Sequence, residues 1–125
     1  MKIVVLGAEG QLGREFVEYF QGRCVPVIGF SRNGCDITDP SAIDAVLASE
    51  CPDVVINTAA YNQVDQAEDD PERAFAVNAG GVQCLARRCA EENVRMVHFS
   101  TDYVFDGQKV TPYVERDPAH PLSIY

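Results

Sequence analysis

The chain has 125 residues, a formal net charge of −9 and 46% hydrophobic residues. This length suits one domain with a real hydrophobic core. The negative charge argues against nucleic acid as a partner, because affinity for nucleic acid depends on Lys and Arg neutralising phosphates. A small anionic ligand stays compatible with it, since backbone N–H groups and one or two local cations suffice to hold a nucleotide.

The sequence also bears on membrane insertion, on secretion and on the state of the cysteines. No apolar run approaches the roughly 20 residues that span a bilayer, so no membrane partner is expected. Residues 1–7 carry one charge and a run too short for a secretory signal. The five cysteines include no Cys-x-x-Cys pair and are joined by only two histidines, which argues against a disulfide framework and against a metal site. We therefore expect a cytoplasmic protein with free thiols.

Apolar runs alternate with helical patterns along the chain. A strand is predicted over 2–7, followed by a helix from Gly10, a strand over 25–30 and a helix from Asp39-Pro40 to Cys51. A strand over 53–57, the longest helix from Asp70-Pro71 and a strand over 94–99 complete the order. Each Asp-Pro pair offers an N-cap and a proline at the first helical position. The apolar stripe predicted for the longest helix is Phe75, Ala79, Val82, Ala86 and Cys89.

Strands separated by helices predict an α/β fold, a Rossmann-type doubly wound parallel sheet with helices on both faces. Such sheets bind ligands beyond the carboxyl ends of their strands. The unusual residues of this sequence fall there: the glycine loop, Ser31-Arg32, the stretch 58–61 and Ser100-Thr101. Their shared position predicts a ligand site at one end of the sheet.

The glycine loop lies between the first strand and the first helix. Gly7 permits a tight turn, Gly10 lets a pyrophosphate approach the backbone, and Gly13 permits close packing of helix and strand. The N–H groups at the start of the helix, around Gln11 and Leu12, attract phosphates. The context favours a phosphate cradle, and a turn without a ligand is the alternative.

The end of the second strand bears on the choice between NADPH and NADH. An acidic residue there would hold a ribose 2′-hydroxyl, whereas a cation would accept a 2′-phosphate. Ser31-Arg32 follows the strand without any acid, which slightly favours NADPH; an arginine that only faces solvent is the alternative. Asp36 and Ile37 are predicted to lie against the adenine of the dinucleotide. The alternative for Asp36 is that it holds the loop in place.

Small residues and hydroxyl groups mark the remaining strand ends. Ala59, Ala60 and Tyr61 leave room for a dinucleotide over the sheet edge, but also suit helix–sheet packing. The Thr101 hydroxyl can bond a substrate carbonyl, and the Tyr125 phenol can donate the proton that completes its reduction. Without further context these two hydroxyls do not indicate catalysis.

The whole chain resembles the N-terminal part of the dTDP-4-dehydrorhamnose reductases, a family of extended short-chain dehydrogenases/reductases. The most specific match is the block Ser100–Tyr125. The matching motifs are Gly7-x-x-Gly10-Gln11-Leu12-Gly13, Asp36-Ile37-Thr38-Asp39, Pro52–Asn57, Ala59-Ala60-Tyr61, Val64-Asp65, Ala67-Glu68, Val77-Asn78-Ala79, Ser100–Gly107 and Pro112-Tyr113-x-Glu115-x-Asp117-x-x-x-Pro121-x-x-x-Tyr125.

The resemblance implies NAD(P)H-dependent reduction of the 4-keto group of dTDP-4-dehydro-L-rhamnose to dTDP-L-rhamnose. It assigns Tyr125 as the proton donor, in contact with both cofactor and substrate, Thr101 as its hydroxyl partner at the substrate oxygen, and Asp102 to the sugar. The cofactor residues that it implies are Gly10, Gln11 and Leu12 at the pyrophosphate, Asp36 and Ile37 at the adenine, and Ala59, Ala60 and Tyr61 at the middle. A nucleotide-sugar substrate is implied, and a homodimer of the full-length protein is compatible with the resemblance.

Two departures from the family pattern are visible. Asn62 stands where threonine is common, and the lysine of Tyr-x-x-x-Lys would fall at position 129, outside these residues. Residues 1–125 are therefore expected to form an incomplete NAD(P)-binding domain without the sugar-nucleotide lobe, a fragment that binds cofactor weakly and turns over little. The alternatives are a non-catalytic regulatory subunit of a methionine adenosyltransferase and another nucleotide-sugar epimerase or dehydratase.

Overall fold

The computed structural model describes residues 1–125 and contains one four-stranded sheet with the order β2-β1-β3-β4. All neighbouring strands are parallel, so the predicted Rossmann-type sheet is confirmed. The strands are β1 (Ile3–Leu6), β2 (Val27–Phe30), β3 (Val54–Asn57) and β4 (Arg95–His98). The chain moves outward from β1 to β2 on one side and from β3 to β4 on the other. The switch point, where such sheets bind ligands, therefore lies between β1 and β3.

The helices follow the predicted order with one addition. They are α1 (Gln11–Gln21), α2 (Pro40–Glu50), α3 (Val64–Asp69), α4 (Pro71–Phe75) and α5 (Val82–Glu91), with a π-helical segment (Ala76–Gly81) between the last two. The cap predicted for α2 is present, because Asp39 accepts a hydrogen bond of 2.9 Å from the Ser41 N–H. The sequence did not predict α3, nor the short 3₁₀ turn Asp102–Val104. None of the helices combines the length and apolarity that crossing a membrane requires.

Alternate residues of β1 and β3 face opposite sides of the sheet. On one side Val4, Leu6 and Val55 pack with buried residues of α2 and α5. On the other side Ile3, Val5, Val54 and Ile56 pack against half-buried residues of α1. Helices therefore cover both faces, as the sequence predicts, and the central strands are fully buried.

The apolar stripe predicted for the longest helix is wrong by one position. Phe75 is 57% exposed, and Ala79 and Ala86 are exposed as well. Of the predicted stripe only Cys89 is buried, and Val82 is half-buried. The buried residues of this region are Ala74, Gly81, Leu85 and Cys89.

The offset has a steric cause. A Cβ at Gly81 would lie 2.9 Å from the Ile37 carbonyl oxygen, so the helix approaches the loop after β2 too closely for a large residue. Close approach selects small residues, which carry little hydrophobic signal. Phe75 is the most strongly apolar residue of this region, so the sequence pattern predicts that it is buried. The predicted stripe is therefore shifted by one position.

The five cysteines differ in exposure, and Cys84 is intermediate between the buried and the exposed ones. Cys35 and Cys89 are buried, and burial raises the pKa of each thiol to about 11; the carboxylates of Asp36 and Asp39 add to the effect at Cys35. Cys24 and Cys51 are exposed. Both precede a strand, so they lie at the end of the sheet opposite the glycine loop.

Gly13→Ala tests how closely the glycine loop packs. The added Cβ would lie 2.3 Å from the Gly7 carbonyl oxygen and 2.8 Å from the Ala8 Cα, both backbone atoms. We expect the free energy of unfolding to fall by about 1–3 kcal/mol in urea denaturation, the usual result of forcing a carbon into filled space. Gly80→Ala is the matched control, since its Cβ would meet only the Phe75 carbonyl oxygen at 3.8 Å. Equal stability of the two variants would contradict the close packing.

Candidate functional site

A groove of about 380 Å³ opens where β1, β2 and β3 end. Its volume falls within the range of about 300–1,000 Å³ that is typical of small-molecule sites. The groove lies at the switch point of the sheet, where the sequence predicts a ligand. Its walls come from three loops and from the start of the helix that follows α3.

The glycine loop forms the first wall, through Gly7 and Gly10. Gly7 has a φ of +76°, in the left-handed region that favours glycine. The start of α1 has no side-chain cap, so its N–H groups remain free to meet an anion. Gln11, Leu12 and Gly13 are not among the residues that line the groove, and Gly13 is buried.

The loop after β2 forms the second wall, through Ser31, Arg32, Asp36 and Ile37. Asp36 Oδ1 accepts hydrogen bonds from the Thr38 hydroxyl at 2.7 Å and the Thr38 N–H at 2.9 Å. Arg32 Nε donates to Asp36 Oδ2 at 3.0 Å. The Thr38 hydroxyl, its N–H and the guanidinium together lower the pKa of Asp36. Asp36 thus holds the loop, which was one of its two expected roles.

This arrangement leaves the outer part of Arg32 available. Only Nε is engaged with Asp36, and the side chain is 63% exposed. The terminal nitrogens form the rigid fork that binds phosphate oxygens in pairs. Asp36 therefore orients the guanidinium without occupying its terminal nitrogens.

The loop after β3 forms the third wall, through Ala59, Ala60 and Tyr61. The fully buried Asn57 fixes its start: its Oδ1 accepts from the Ala59 N–H at 3.0 Å, and its Nδ2 lies 3.2 Å from His98 Nδ1. The Thr58 hydroxyl donates to the Leu6 carbonyl at 2.7 Å. These bonds tie the loop to both neighbouring strands.

Asn78 supports the same loop from the π-helical segment. Its Oδ1 accepts from the Tyr61 N–H at 2.8 Å, and its Nδ2 donates to the Tyr61 carbonyl at 2.9 Å. One side chain therefore satisfies both backbone groups of a residue that lines the groove. The contact gives Asn78 the supporting place that its polar position in an apolar helix suggests.

The residues expected at the substrate lie outside the groove lining. The Thr101 hydroxyl accepts from the Tyr103 N–H at 3.2 Å and so caps the 3₁₀ turn that holds Asp102. The Tyr125 ring packs edge-on against Tyr103, with centroids 5.5 Å apart. Glu68 of α3 accepts from the Ile124 N–H at 2.8 Å. Thr101 and Asp102 thus lie at the start of the 3₁₀ turn against which Tyr125 packs through Tyr103, and none of the three lines the groove.

Sequence reasoning missed several residues that line the groove, chiefly Glu9, Cys35, Arg73 and Val77. Arg73 and Val77 are four positions apart, the spacing of neighbours on one helix face, which was the available signal. No group of three or more His, Cys, Asp or Glu residues is arranged to hold a metal ion.

The fold and the groove define a Rossmann-like α/β protein with a ligand site at the switch point. The model of the family described as RmlD substrate binding domain matches residues 1–125, and the chain belongs to this family. It is 45% identical over 125 residues to a dTDP-4-dehydrorhamnose reductase of Mycolicibacterium smegmatis, covering 99% of this chain and 38% of that protein. The resemblance seen in the sequence is thereby confirmed.

Solved structures agree with this. The crystal structure of a dTDP-4-dehydrorhamnose reductase from Clostridium acetobutylicum matches with a TM-score of 0.95 and 40% identity, over 100% of this chain and 45% of the other. The Bacillus anthracis dTDP-4-dehydrorhamnose reductase in complex with NADP matches with a TM-score of 0.94 and 34% identity, with the same coverage. The chain spans about two fifths of the length of the curated relatives it matches.

Asn78→Ala should loosen the third wall. It leaves the Tyr61 N–H and carbonyl without their partner, so we expect a loss of about 1–3 kcal/mol in the free energy of unfolding. Hydrogen exchange at the Tyr61 amide should become faster. Gln83→Ala, an exposed position on the adjoining helix, is the control and should leave both measurements unchanged. Wild-type protection of Tyr61 in the Asn78 variant would refute the supporting role.

The low pKa of Asp36 makes its contribution to stability depend on pH. A carboxyl whose pKa is lower in the folded state than its ordinary value of 3.8 stabilises the protein above that value. The contribution disappears as pH falls through the folded pKa. The difference in unfolding free energy between wild type and Asp36→Asn should therefore be largest near neutral pH and shrink in acid.

Urea denaturation between neutral and acidic pH measures this difference. Asp69→Asn removes one exposed carboxylate outside the loop and serves as the reference for a lost charge. An Asp36 difference that grows as the pH falls would contradict the observed hydrogen bonds.

Proposed function

We propose that this chain is the dinucleotide-binding part of a reductase that converts dTDP-4-dehydro-L-rhamnose into dTDP-L-rhamnose. The observation that carries the proposal is the groove at the switch point, which is lined both by Gly10, at the uncapped start of α1, and by Arg32. Family membership and the names of the relatives support the nucleotide-sugar substrate. The NADP complex of the Bacillus anthracis protein supports a nicotinamide cofactor.

The groove residues fit such a dinucleotide. The N–H groups of Gln11 and Leu12 suit the pyrophosphate, because the helix start has no side-chain cap and the helix dipole favours negative charge there. The Gly10 N–H donates to the Gly7 carbonyl at 2.9 Å, so Gly10 contributes a backbone that the pyrophosphate can approach closely. Ser31 and Arg32 suit the 2′-phosphate, which makes NADPH the preferred cofactor. When bound, the nicotinamide supplies the hydride for the 4-keto carbon.

The protein's own part in the chemistry belongs to Tyr125 and Thr101. The Thr101 hydroxyl donates a hydrogen bond to the 4-keto oxygen, which stabilises negative charge as the carbonyl is reduced. Tyr125 gives that oxygen its proton. Asp102 lies next in the chain to Thr101 and contacts the sugar hydroxyls.

The free cysteines bear on the cellular compartment of the protein. The buried thiols Cys35 and Cys89 suit a reducing compartment, in keeping with a cytoplasmic enzyme.

Tyr125→Phe tests the reductase assignment in the product of the complete reading frame that encodes this chain. We expect substrate-dependent NADPH oxidation to fall by about 10²–10⁴-fold, the usual effect of losing a general acid. The Kd for NADPH should stay within about twofold, because Tyr125 does not line the groove. Tyr113→Phe, in the same loop, is the control.

Two outcomes would contradict the proposal. Unchanged turnover in Tyr125→Phe would show that Tyr125 is not the proton donor. NADPH binding by the wild-type product without any turnover of dTDP-4-dehydro-L-rhamnose would favour the non-catalytic regulatory alternative.

A further inference from the structure

The groove contains a second arginine that neither the glycine motif nor the loop after β2 includes. Arg73 belongs to α4 and lines the groove together with Val77. The two residues are four positions apart, so they lie one above the other on the same helical face. Arg73 therefore extends the wall one turn outward from Val77.

The apolar part of the groove lies next to this wall. Cys35 and Ile37 line it and are each 3% exposed, and Val77 packs against the same core cluster. The adenine and the reduced nicotinamide of NADPH are both flat, uncharged rings, but only the adenosine ribose carries the 2′-phosphate. Arg32, which the proposed function assigns to that phosphate, belongs to the same loop as Cys35 and Ile37. The apolar floor of Cys35, Ile37 and Val77 is therefore assigned to the adenine.

The guanidinium of Arg73 is placed to face an aromatic ring. Its central carbon lies 5.5 Å from the centroid of the Tyr61 ring, within the range of a cation–π contact. In contrast to Arg32, which is paired with Asp36, the ionic contacts of this structure include none to Arg73. A planar guanidinium held in this way stacks readily on a second flat ring.

We propose that Arg73 is an additional cofactor-binding residue, whose guanidinium covers the outer face of the adenine above the floor of Cys35, Ile37 and Val77. The inference rests on the proposed function, since it takes the ligand to be an adenine dinucleotide. It divides the work of the two arginines: Arg32 reads the 2′-phosphate, and Arg73 holds the base whether or not that phosphate is present.

Titration calorimetry with four probes tests this division: NADPH, NADH, 5′-AMP and 2′,5′-ADP, at one fixed ionic strength. Arg73→Ala should weaken all four by a similar factor of about 3 to 20, the range of a partly desolvated cation–π contact. Arg32→Ala should weaken only NADPH and 2′,5′-ADP. Arg73→Lys keeps the charge but not the plane, and its affinities should stay closer to those of the alanine variant than to wild type.

Arg87→Ala is the matched control, because it removes one arginine from an exposed site on α5, where the side chain is 64% exposed. It should change no affinity by more than about twofold, which lies near the lower limit of a cation–π effect. Circular dichroism melting curves of the variants establish that each is folded. Full recovery by Arg73→Lys would show a charge contact and overturn the stacking role.

The remaining outcomes separate this inference from the proposed function. A loss in Arg73→Ala that is confined to the two 2′-phosphate ligands, or no loss at all, overturns the inference while the cofactor assignment stands. Wild-type binding of 5′-AMP that depends on Arg73, without binding of either dinucleotide, supports the base contact and contradicts the cofactor. Absence of binding of all four probes to the wild type overturns both.

Discussion

The backbone of Gly7 lies directly against the backbone of the loop after β3, and the groove depends on that contact. A Cβ at Gly7 would come within 2.7 Å of the Ala59 nitrogen and 2.8 Å of the Thr58 carbonyl carbon. The bond from the Thr58 hydroxyl to Leu6 holds the two loops at this distance. This side of the groove is therefore formed by main chain that the sheet holds in place. A ligand that binds against it has few side chains to order there, which lowers the entropic cost of binding.

The same economy governs the charges. The chain carries a net charge of −9, so its overall field opposes an anionic ligand. Within the groove, the uncapped start of α1 and the side chains of Arg32 and Arg73 supply local positive charge. Asp36, which could have opposed a phosphate, is occupied by Thr38 and Arg32. Its carboxylate orients a cation and does not compete with the ligand.

The sheet was predictable because each strand is a compact apolar run between helices with clear starts. Asp39-Pro40 and Asp70-Pro71 mark two of those starts by a mechanism that acts within a few residues. The phase of the longest helix was not predictable, since Gly81 and Ala74 are buried by close approach and not by their own hydrophobicity. Such contacts depend on residues far away in sequence, here Ile37.

The residues of the candidate site were likewise predictable only in part. The loops after β1, β2 and β3 could be read from the sequence, because parallel strands place their carboxyl ends at one edge. For Arg73 the sequence offers only its four-residue spacing from Val77, since its place in the groove follows from how α3 and α4 return to the sheet. The short α3 has only Ala67 fully buried, so its sequence has too little apolar periodicity to predict a helix. The positions of Thr101 and Tyr125 relative to the groove depend on the long loop after β4.

The uneven exposure of the thiols has a practical value. Cys24 and Cys51 are open to solvent at the far edge of the sheet, while Cys35, the one cysteine at the groove, is buried with a pKa of about 11 and has little thiolate at neutral pH. Maleimide dyes will therefore attach first at the far edge. A fluorophore or spin label placed there leaves the groove chemically untouched, so its occupancy can be followed on the unmutated polypeptide.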